Sequence, residues 1–254
     1  MTLIKNEIPI LEYDTEEHAV LMPRERWNYE FAEKAVMLFM EPEIEEYVIN
    51  HECELVGKFE SVTKTFLVYK TVHKGVPITF CRAPLGGAGA VQIMEQLIKG
   101  GAKKTIAVGC CGSLVEDTEG DYFIPTSALR QEGTSYHYLP PSREVKLAEK
   151  AVEAIEKVLI KNNRPYRKCK TWTTDGFYHE MKGMILYRKE KGCSVVEMEC
   201  ASMAACAKMR NVVFGQFLFT ADSLTGIDSH DGRNWRNEHS AYAMTLAYDA
   251  VLEV

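Results

Sequence analysis

The stretch SVVEMECASMAA, residues 194–205, decides the fold of this chain, because it places two carboxylates at the start of an otherwise apolar segment. The valines match the end of a buried strand, and the residues from Cys200 onward recur at helical spacing, so Glu197 and Glu199 lie at a strand-to-helix junction. Open α/β sheets bind ligands at the carboxyl ends of their strands. A carboxylate in apolar surroundings is costly unless it is neutralised, hydrogen-bonded or reserved for a hydroxyl-rich ligand. The alternative is a plain helix N-terminus, with Glu199 favouring the helix dipole and Glu197 solvated.

Composition limits the class of protein. The 254 residues, 46% of them hydrophobic, can bury a full core, and we expect one domain over residues 1–254. A net charge of -6 without a basic face argues against a nucleic-acid partner. The eight cysteines are scattered without metal-ligand spacing, which predicts small buried thiols in a reducing compartment. Because no signal-peptide pattern or bilayer-length apolar run occurs, we expect a cytoplasmic protein without a membrane partner.

Apolar runs of strand length alternate with longer amphipathic stretches. This alternation predicts an α/β fold in three layers, with a mixed, mostly parallel central sheet flanked by helices. The predicted strands are His18–Met22, Phe66–Val72, Pro77–Arg82, Thr105–Gly109, Tyr122–Leu129, Lys168–Thr173, Ser194–Val196 and Val212–Ala221. The predicted helices are Pro42–Asn50, Ala90–Lys99, Glu144–Lys161, Glu180–Glu190, Cys200–Met209 and Glu238–Leu252.

Two turns of small residues follow predicted strands. The first, residues 84–90, contains Gly86 and Gly87, whose backbone N–H groups can close around an anion at the start of the next helix. It lacks the third glycine of the dinucleotide fingerprint, so a Rossmann cofactor site is disfavoured, and a tight packing turn is the alternative. The second turn contains Cys110 and Cys111 without an adjacent base, which favours packed thiols over a nucleophile.

Two further strand ends carry aromatic rings and an acid. Trp172, Phe177 and Tyr178 lie within seven residues and can stack a heterocyclic base, although core packing is the favoured alternative for Trp172. A long apolar strand ends at Asp222. A carboxyl group whose pKa is raised by apolar neighbours can act as a general acid near neutral pH, and a helix or turn cap is the alternative.

In chain order, these segments resemble the nucleoside phosphorylase-I superfamily, which contains purine nucleoside, uridine and methylthioadenosine phosphorylases and related nucleosidases. The run VEME at 196–199 is similar to its ribose-binding signature, and the turns GGAG at 86–89 and VGCCG at 108–112 are similar to its phosphate-side turns. TDGFY at 174–178 resembles its base-stacking segment, and ADS at 221–223 resembles its purine-protonating acid. The run RQEGTSYHYLPP at 130–141 resembles a branch usually labelled simply nucleoside phosphorylase.

The resemblance implies a phosphorylase/hydrolase-like fold and phosphorolytic cleavage of a purine nucleoside to free base and ribose 1-phosphate. It implies inorganic phosphate as co-substrate, no metal or organic cofactor, and a homo-oligomer built from dimers, up to a hexamer. In this sequence Glu199 and Asp222 would be the catalytic residues. The ribose would contact Glu197, Met198 and Glu199, the base would contact Phe177, Trp172 and Asp222, and the phosphate would contact Gly86, Gly87, Arg82, Cys110 and Lys64.

The chain departs from the family on the phosphate side. Family phosphorylases generally carry an arginine on the strand entering the second turn, where this chain has Ala107, and the early arginine-bearing loop reads MPRER at 22–26. We rank Arg82 first as the replacement, because it lies two residues before the glycine turn. The other candidate cations are Arg24, Arg26 and Lys64, and in the family one phosphate ligand comes from the neighbouring subunit. Hydrolysis by water, or nucleoside binding with little turnover, therefore remain alternatives.

Two further features concern the base. The residues that grip uracil in uridine phosphorylases would fall near Met181 and Gly183, neither of which presents that pattern, so a purine is favoured. The polar run at 228–236 follows the acid closely. It is predicted to be either a lid over the site or a plain surface loop.

Overall fold

The structure is a computed structural model that describes residues 2–16, 18–23, 28–233 and 240–254. Its strands are β1 (Leu3–Ile4), β2 (Tyr13–Asp14), β3 (Lys34–Leu38), β4 (Glu54–Glu60), β5 (Thr65–His73), β6 (Val76–Arg82), β7 (Lys104–Ser113), β8 (Tyr122–Gln131), β9 (Glu144–Lys146), β10 (Tyr166–Thr174), β11 (Cys193–Glu197) and β12 (Val213–Ser223). Its α-helices are α1 (Pro42–Asn50), α2 (Gly87–Lys99), α3 (Glu149–Lys161), α4 (Lys182–Glu190), α5 (Cys200–Met209) and α6 (Ser240–Glu253).

A mixed sheet runs through the protein in the order β11-β10-β8-β12-β7-β3-β6-β5-β4, with β9 added beside β8. Parallel pairing joins β3 to β6 and β7, β12 to β7, and β10 to both β8 and β11. The end of β11 also pairs with the end of β7, so these two strands, β12, β8 and β10 close into a ring. In this register Gly112 of β7 lies opposite Val196 on one side and Asp222 on the other. Strand pairing therefore brings together the strand ends that carry the predicted site residues.

The helices cover the sheet in two packed groups, α2 with α5 and α3 with α6 and α1. Helix α5 consists mainly of Ala, Cys and Met, and eight of its ten residues are buried, as expected for a helix that is apolar on all sides. The position of α5 fixes the position of Glu197 and Glu199, because the helix begins three residues after Glu197. None of the described helices combines the length and the apolarity needed to cross a membrane.

The predicted α/β fold is confirmed, and α1 and α5 have the predicted bounds. The predicted strand His18–Met22 is wrong, because Val20 and Leu21 are exposed and no strand pairs there. The predicted helix at 144–161 begins only at Glu149, because the preceding residues form β9 on the edge of β8. Strands β3 and β4 were not predicted, and the predicted start of the last helix at Glu238 lies outside the described residues.

Candidate active site

A cleft of about 680 Å³, open to solvent, lies where β7, β11 and β12 end. Met198 and Glu199 reach it from the junction between β11 and α5, and Asp222 reaches it from β12. Cys110 of β7 and Phe177, which follows β10, also line it. Glu199 and Asp222 therefore face one cavity, which a single ligand can occupy.

Glu197 is buried, and its carboxylate is hydrogen-bonded to other groups of the protein. Oε2 accepts hydrogen bonds from the backbone N–H groups of Glu199 and Cys200, both at 2.7 Å. Oε1 accepts from the hydroxyl groups of Thr173 at 2.6 Å and Thr171 at 3.2 Å. These four donors occupy the lone pairs of the carboxylate and satisfy N–H groups at the start of α5. The alternative in which Glu197 is solvated is wrong, because the carboxylate is buried and holds the junction. Its predicted contact with ribose stays a prediction, since Glu197 is part of the cleft lining.

Glu199 faces the cleft and is only 5% exposed. Its Oε1 accepts a hydrogen bond from the backbone N–H of Gly86 at 2.6 Å. Burial, and then the charge of Glu197, raise the pKa of Glu199 to about 8. Burial also raises the pKa of Glu197, but four donors favour its ionised form. We therefore assign the negative charge to Glu197 and a proton to Glu199 at neutral pH.

The two carboxyl groups should affect stability with opposite sign. Glu197→Gln should lower the free energy of unfolding by about 2–4 kcal/mol, because an amide NH₂ cannot accept the hydrogen bonds at one end of the group. Glu199→Gln keeps an acceptor for Gly86 and removes a buried ionisable group, so it should raise the free energy of unfolding at pH 8 by about 1–2 kcal/mol.

The pH dependence follows from the raised pKa of Glu199. From its ordinary pKa of 4.5 up to about 8, the unfolded chain loses this proton while the folded chain keeps it, so the Glu199 contribution to stability falls as pH rises. Urea unfolding between pH 5 and 8 should show this slope in the wild type and a smaller one in Glu199→Gln. Stabilisation by Glu197→Gln would contradict the assignment.

The glycine turn before α2 packs directly on α5. Gly86 has a φ of +88°, a region that favours glycine, and a Cβ added to Gly87 would collide with the side chain of Ser202. The Ser202 hydroxyl in turn donates to the carboxylate of Glu132. The turn is thereby placed so that the Gly86 N–H reaches Glu199. The binding of phosphate by Gly86 and Gly87 stays a prediction.

The base side of the cleft contains an aromatic ring and an acid. Phe177 is 44% exposed, and its ring meets that of Tyr178 edge-on at 4.9 Å between centroids. Asp222 Oδ2 lies 2.8 Å from His230 Nε2. Asp222 is therefore hydrogen-bonded to a side chain on the loop that follows β12, rather than serving as the predicted alternative of a helix cap.

Glu180 also lines this cleft, and sequence reasoning missed it as a site residue. Burial, and then the charge of Asp222, raise the pKa of Glu180 to about 7. It was predicted only as the first residue of a helix, whereas α4 begins two residues later. Its position directly after the aromatic segment is the sequence feature from which its place in the site could have been predicted.

Five predicted ligand contacts are not in the cleft lining, namely Gly86 and Gly87 of the glycine turn and three side chains. Trp172 is 1% exposed and packs in a cluster with Leu114, Leu129, Ile185, Cys193 and Val196, so its predicted base contact is corrected to a core position. Arg82 pairs with Glu41 and lies outside the cleft lining, so its first rank as the phosphate cation is also corrected. Lys64, half exposed, lies 3.5 Å from Glu41 and is likewise not in the lining.

The cleft is consequently acidic. Four carboxyl groups line it, from Glu180, Glu197, Glu199 and Asp222, and no Lys or Arg among the described residues does so. Ala107, where the resemblance leads one to expect an arginine, is fully buried, and the candidates Arg24 and Arg26 lie outside the described residues. Within the described ranges, no group of three His, Cys, Asp or Glu side chains could hold a metal ion.

The prediction that most of the cysteines are buried thiols is confirmed. All eight are free thiols, and Cys81, Cys111, Cys169, Cys193, Cys200 and Cys206 are buried. Burial raises the pKa of Cys81 to about 12 and that of Cys193 to about 11, which keeps both in the unreactive thiol form. Cys110 is half-buried and lines the cleft beside Cys111.

The cleft lies at the ends of sheet strands, where open α/β sheets bind their ligands. Comparison with known proteins gives the family. The model of the phosphorylase superfamily matches residues 33–252, so the chain belongs to that superfamily. Members of the family are nucleoside phosphorylases or nucleosidases.

The individual proteins to which the chain is similar have low sequence identity to it. The chain is 30% identical over 158 residues to the uncharacterized protein R802 of Acanthamoeba polyphaga mimivirus, a match that covers 60% of this chain and spans only 58% of that relative. It is 25% identical over 190 residues to a guanosine phosphorylase of Halorubrum lacusprofundi, covering 71% of this chain and 76% of the relative. A purine nucleoside phosphorylase from Toxoplasma gondii, solved with immucillin-H, has a TM-score of 0.75 at 19% identity, covering 92% of this chain and 99% of the other. This last likeness establishes the fold.

Proposed function

We propose that this chain is a nucleoside phosphorylase that cleaves the N-glycosidic bond of a purine nucleoside, giving the free base and ribose 1-phosphate. The observation that carries the proposal is the convergence of Glu199 and Asp222 on one cleft, with Phe177 on the base side. The predicted cytoplasmic location and homo-oligomeric assembly are part of the same proposal.

The sugar side of the mechanism depends on Glu199. Cleavage passes through an oxocarbenium-like state, in which positive charge builds on the ribose and negative charge on the departing base. The ionised form of Glu199 accepts hydrogen bonds from the ribose hydroxyl groups, and these strengthen as positive charge develops on the ribose. Glu197 and the Gly86 N–H hold the segment in place, and Met198 packs beneath the sugar.

The base side depends on a proton. Phe177 stacks on the ring, and a protonated Asp222 donates to N7 as the electrons of the C1′–N9 bond move into the base. His230, hydrogen-bonded to Asp222 and half exposed, connects this acid to solvent. The uracil-gripping pattern is missing at Met181 and Gly183, which supports a purine as the base.

Phosphate needs a cation that the described lining does not supply. Lys64 is the strongest remaining candidate, because it lies on the exposed turn between β4 and β5, where a neighbouring subunit of an oligomer can receive it. Its pairing with Glu41 is solvent-exposed and therefore weak, so its side chain is available to a stronger anion.

Hydrolysis is the second candidate, and the acidic lining specifically favours it. Four carboxyl groups without a described Lys or Arg disfavour a phosphate dianion and leave water unaffected. Ala107 also favours hydrolysis, because an alanine cannot supply the positive charge that phosphate needs.

Base release with and without phosphate separates the two reactions. We expect the purified chain to release guanine from guanosine at a rate that rises with phosphate concentration, and ribose 1-phosphate to accumulate with the base. Unchanged release in phosphate-free buffer, with free ribose as product, would replace phosphorolysis by hydrolysis. Bound guanosine without release over a long incubation would favour the binding-protein alternative.

A further inference from the structure

A second carboxyl group faces the base side of the cleft beside Asp222. Glu180 follows Phe177 by three residues and, like Asp222, lines the cleft. Lys182 binds Asp228 at 2.7 Å, and His230 lies 2.8 Å from Asp222. The loop after β12 is thereby tied both to the segment of Glu180 and to the acid.

Burial and the charges around Glu180 affect its protonation, and the charge of Asp222 is one of them. Burial, and then the Asp222 charge, raise the pKa of Glu180 to about 7, while His230 opposes the shift. The Lys182 charge is paired with Asp228. The remaining titratable groups of the cleft are Glu197 and Glu199 from the junction between β11 and α5 and Cys110 and Cys111 from β7. Glu180 can therefore hold a proton near pH 7 in the same cleft as the second carboxyl group, Asp222.

Resting on the proposed function, we propose that Glu180 is a second acid of the active site, which shares one proton with Asp222 so that the departing base is protonated by a carboxyl pair.

The number of protons is conserved in this step. The C1′–N9 bond breaks, its electron pair moves into the base, and a ring nitrogen takes the proton held between Glu180 and Asp222. The nucleophile, phosphate or water, forms the new bond to C1′ and releases one proton. That proton returns to the carboxyl pair, for which the half-exposed His230 offers a route from solvent.

The test uses two nucleosides that differ in their need for a proton. Guanosine leaves as a base that must be protonated, whereas 7-methylguanosine already carries a methyl group at N7 and leaves as neutral 7-methylguanine without gaining a proton. Glu180→Gln should lower kcat for guanosine by about 10-fold or more, with KM little changed. It should leave kcat for 7-methylguanosine within about two-fold of the wild type.

The pH profile and two control variants complete the experiment. The wild-type rate on guanosine should fall above pH 7 as Glu180 loses its proton, and this limb should move or disappear in Glu180→Gln. Glu180→Asp, which keeps a carboxyl group, should recover part of the rate. Glu190→Gln, at the exposed end of α4, should match the wild type on both nucleosides.

The outcomes separate the inference from the proposed function. If Glu180→Gln slows both nucleosides equally, or neither, the inference is overturned while nucleoside cleavage stands. If the wild-type chain releases base from neither nucleoside, the proposed function fails and the inference fails with it.

Discussion

Glu199→Gln is expected to lower kcat/KM for guanosine by about 10²- to 10³-fold, the usual cost of removing one preorganised charged contact to the transition state. The physical reason is the positive charge that builds on the ribose as the base departs, because a carboxylate responds to it and an amide does not. The Gly86 N–H can still bond to the glutamine oxygen, so the cleft keeps its shape.

The pH profile distinguishes a charge effect from lost packing. With its pKa raised to about 8, Glu199 is largely protonated in the free protein at pH 7, so the wild-type kcat/KM for 7-methylguanosine, whose leaving group needs no proton, should rise toward pH 8 as this group ionises. Glu199→Gln should lose this rise. Steady-state kinetics from pH 6 to 9, with Glu190→Gln as the matched control, measure both effects. A variant with wild-type kcat/KM would exclude Glu199 from the site.

Asp222→Asn is expected to lower kcat for guanosine by about 10²- to 10⁴-fold, the range of general acid catalysis. An amide in this position cannot deliver the proton that the leaving purine requires. The rate on 7-methylguanosine should fall much less, because its leaving group needs no proton. Glu190→Gln, at the exposed end of α4 and outside the cleft lining, is the control and should behave as the wild type. Equal slowing of both nucleosides by Asp222→Asn would indicate a structural role.

Much of the cleft could be predicted because its residues lie at strand ends. The junction at Glu197 and Glu199, the acid Asp222 and the ring of Phe177 each follow an apolar run, and parallel pairing brings such ends together. The sequence could not separate the roles of the two glutamates. That separation depends on Thr171 and Thr173 of the neighbouring strand β10, which saturate Glu197 and leave Glu199 facing the cleft.

The failed predictions depend on contacts between segments distant in sequence. Trp172 points into a small core formed with Leu114 and Ile185, which its own segment does not reveal. Arg82 was ranked by its distance along the chain from the glycine turn, but in the fold its side chain pairs with Glu41. Glu180 was overlooked because the cleft that it lines together with Asp222, 42 residues later in the chain, forms only after folding.

A crystal structure with guanosine bound would show whether Glu199 and Asp222 act on the same nucleoside. We expect one nucleoside to bridge the cleft, with the ribose hydroxyl groups within hydrogen-bond distance of the Glu199 carboxyl group, the purine ring against Phe177 and N7 facing Asp222. A nucleoside bound elsewhere, or bound in the cleft with its sugar away from Glu199, would contradict this expectation.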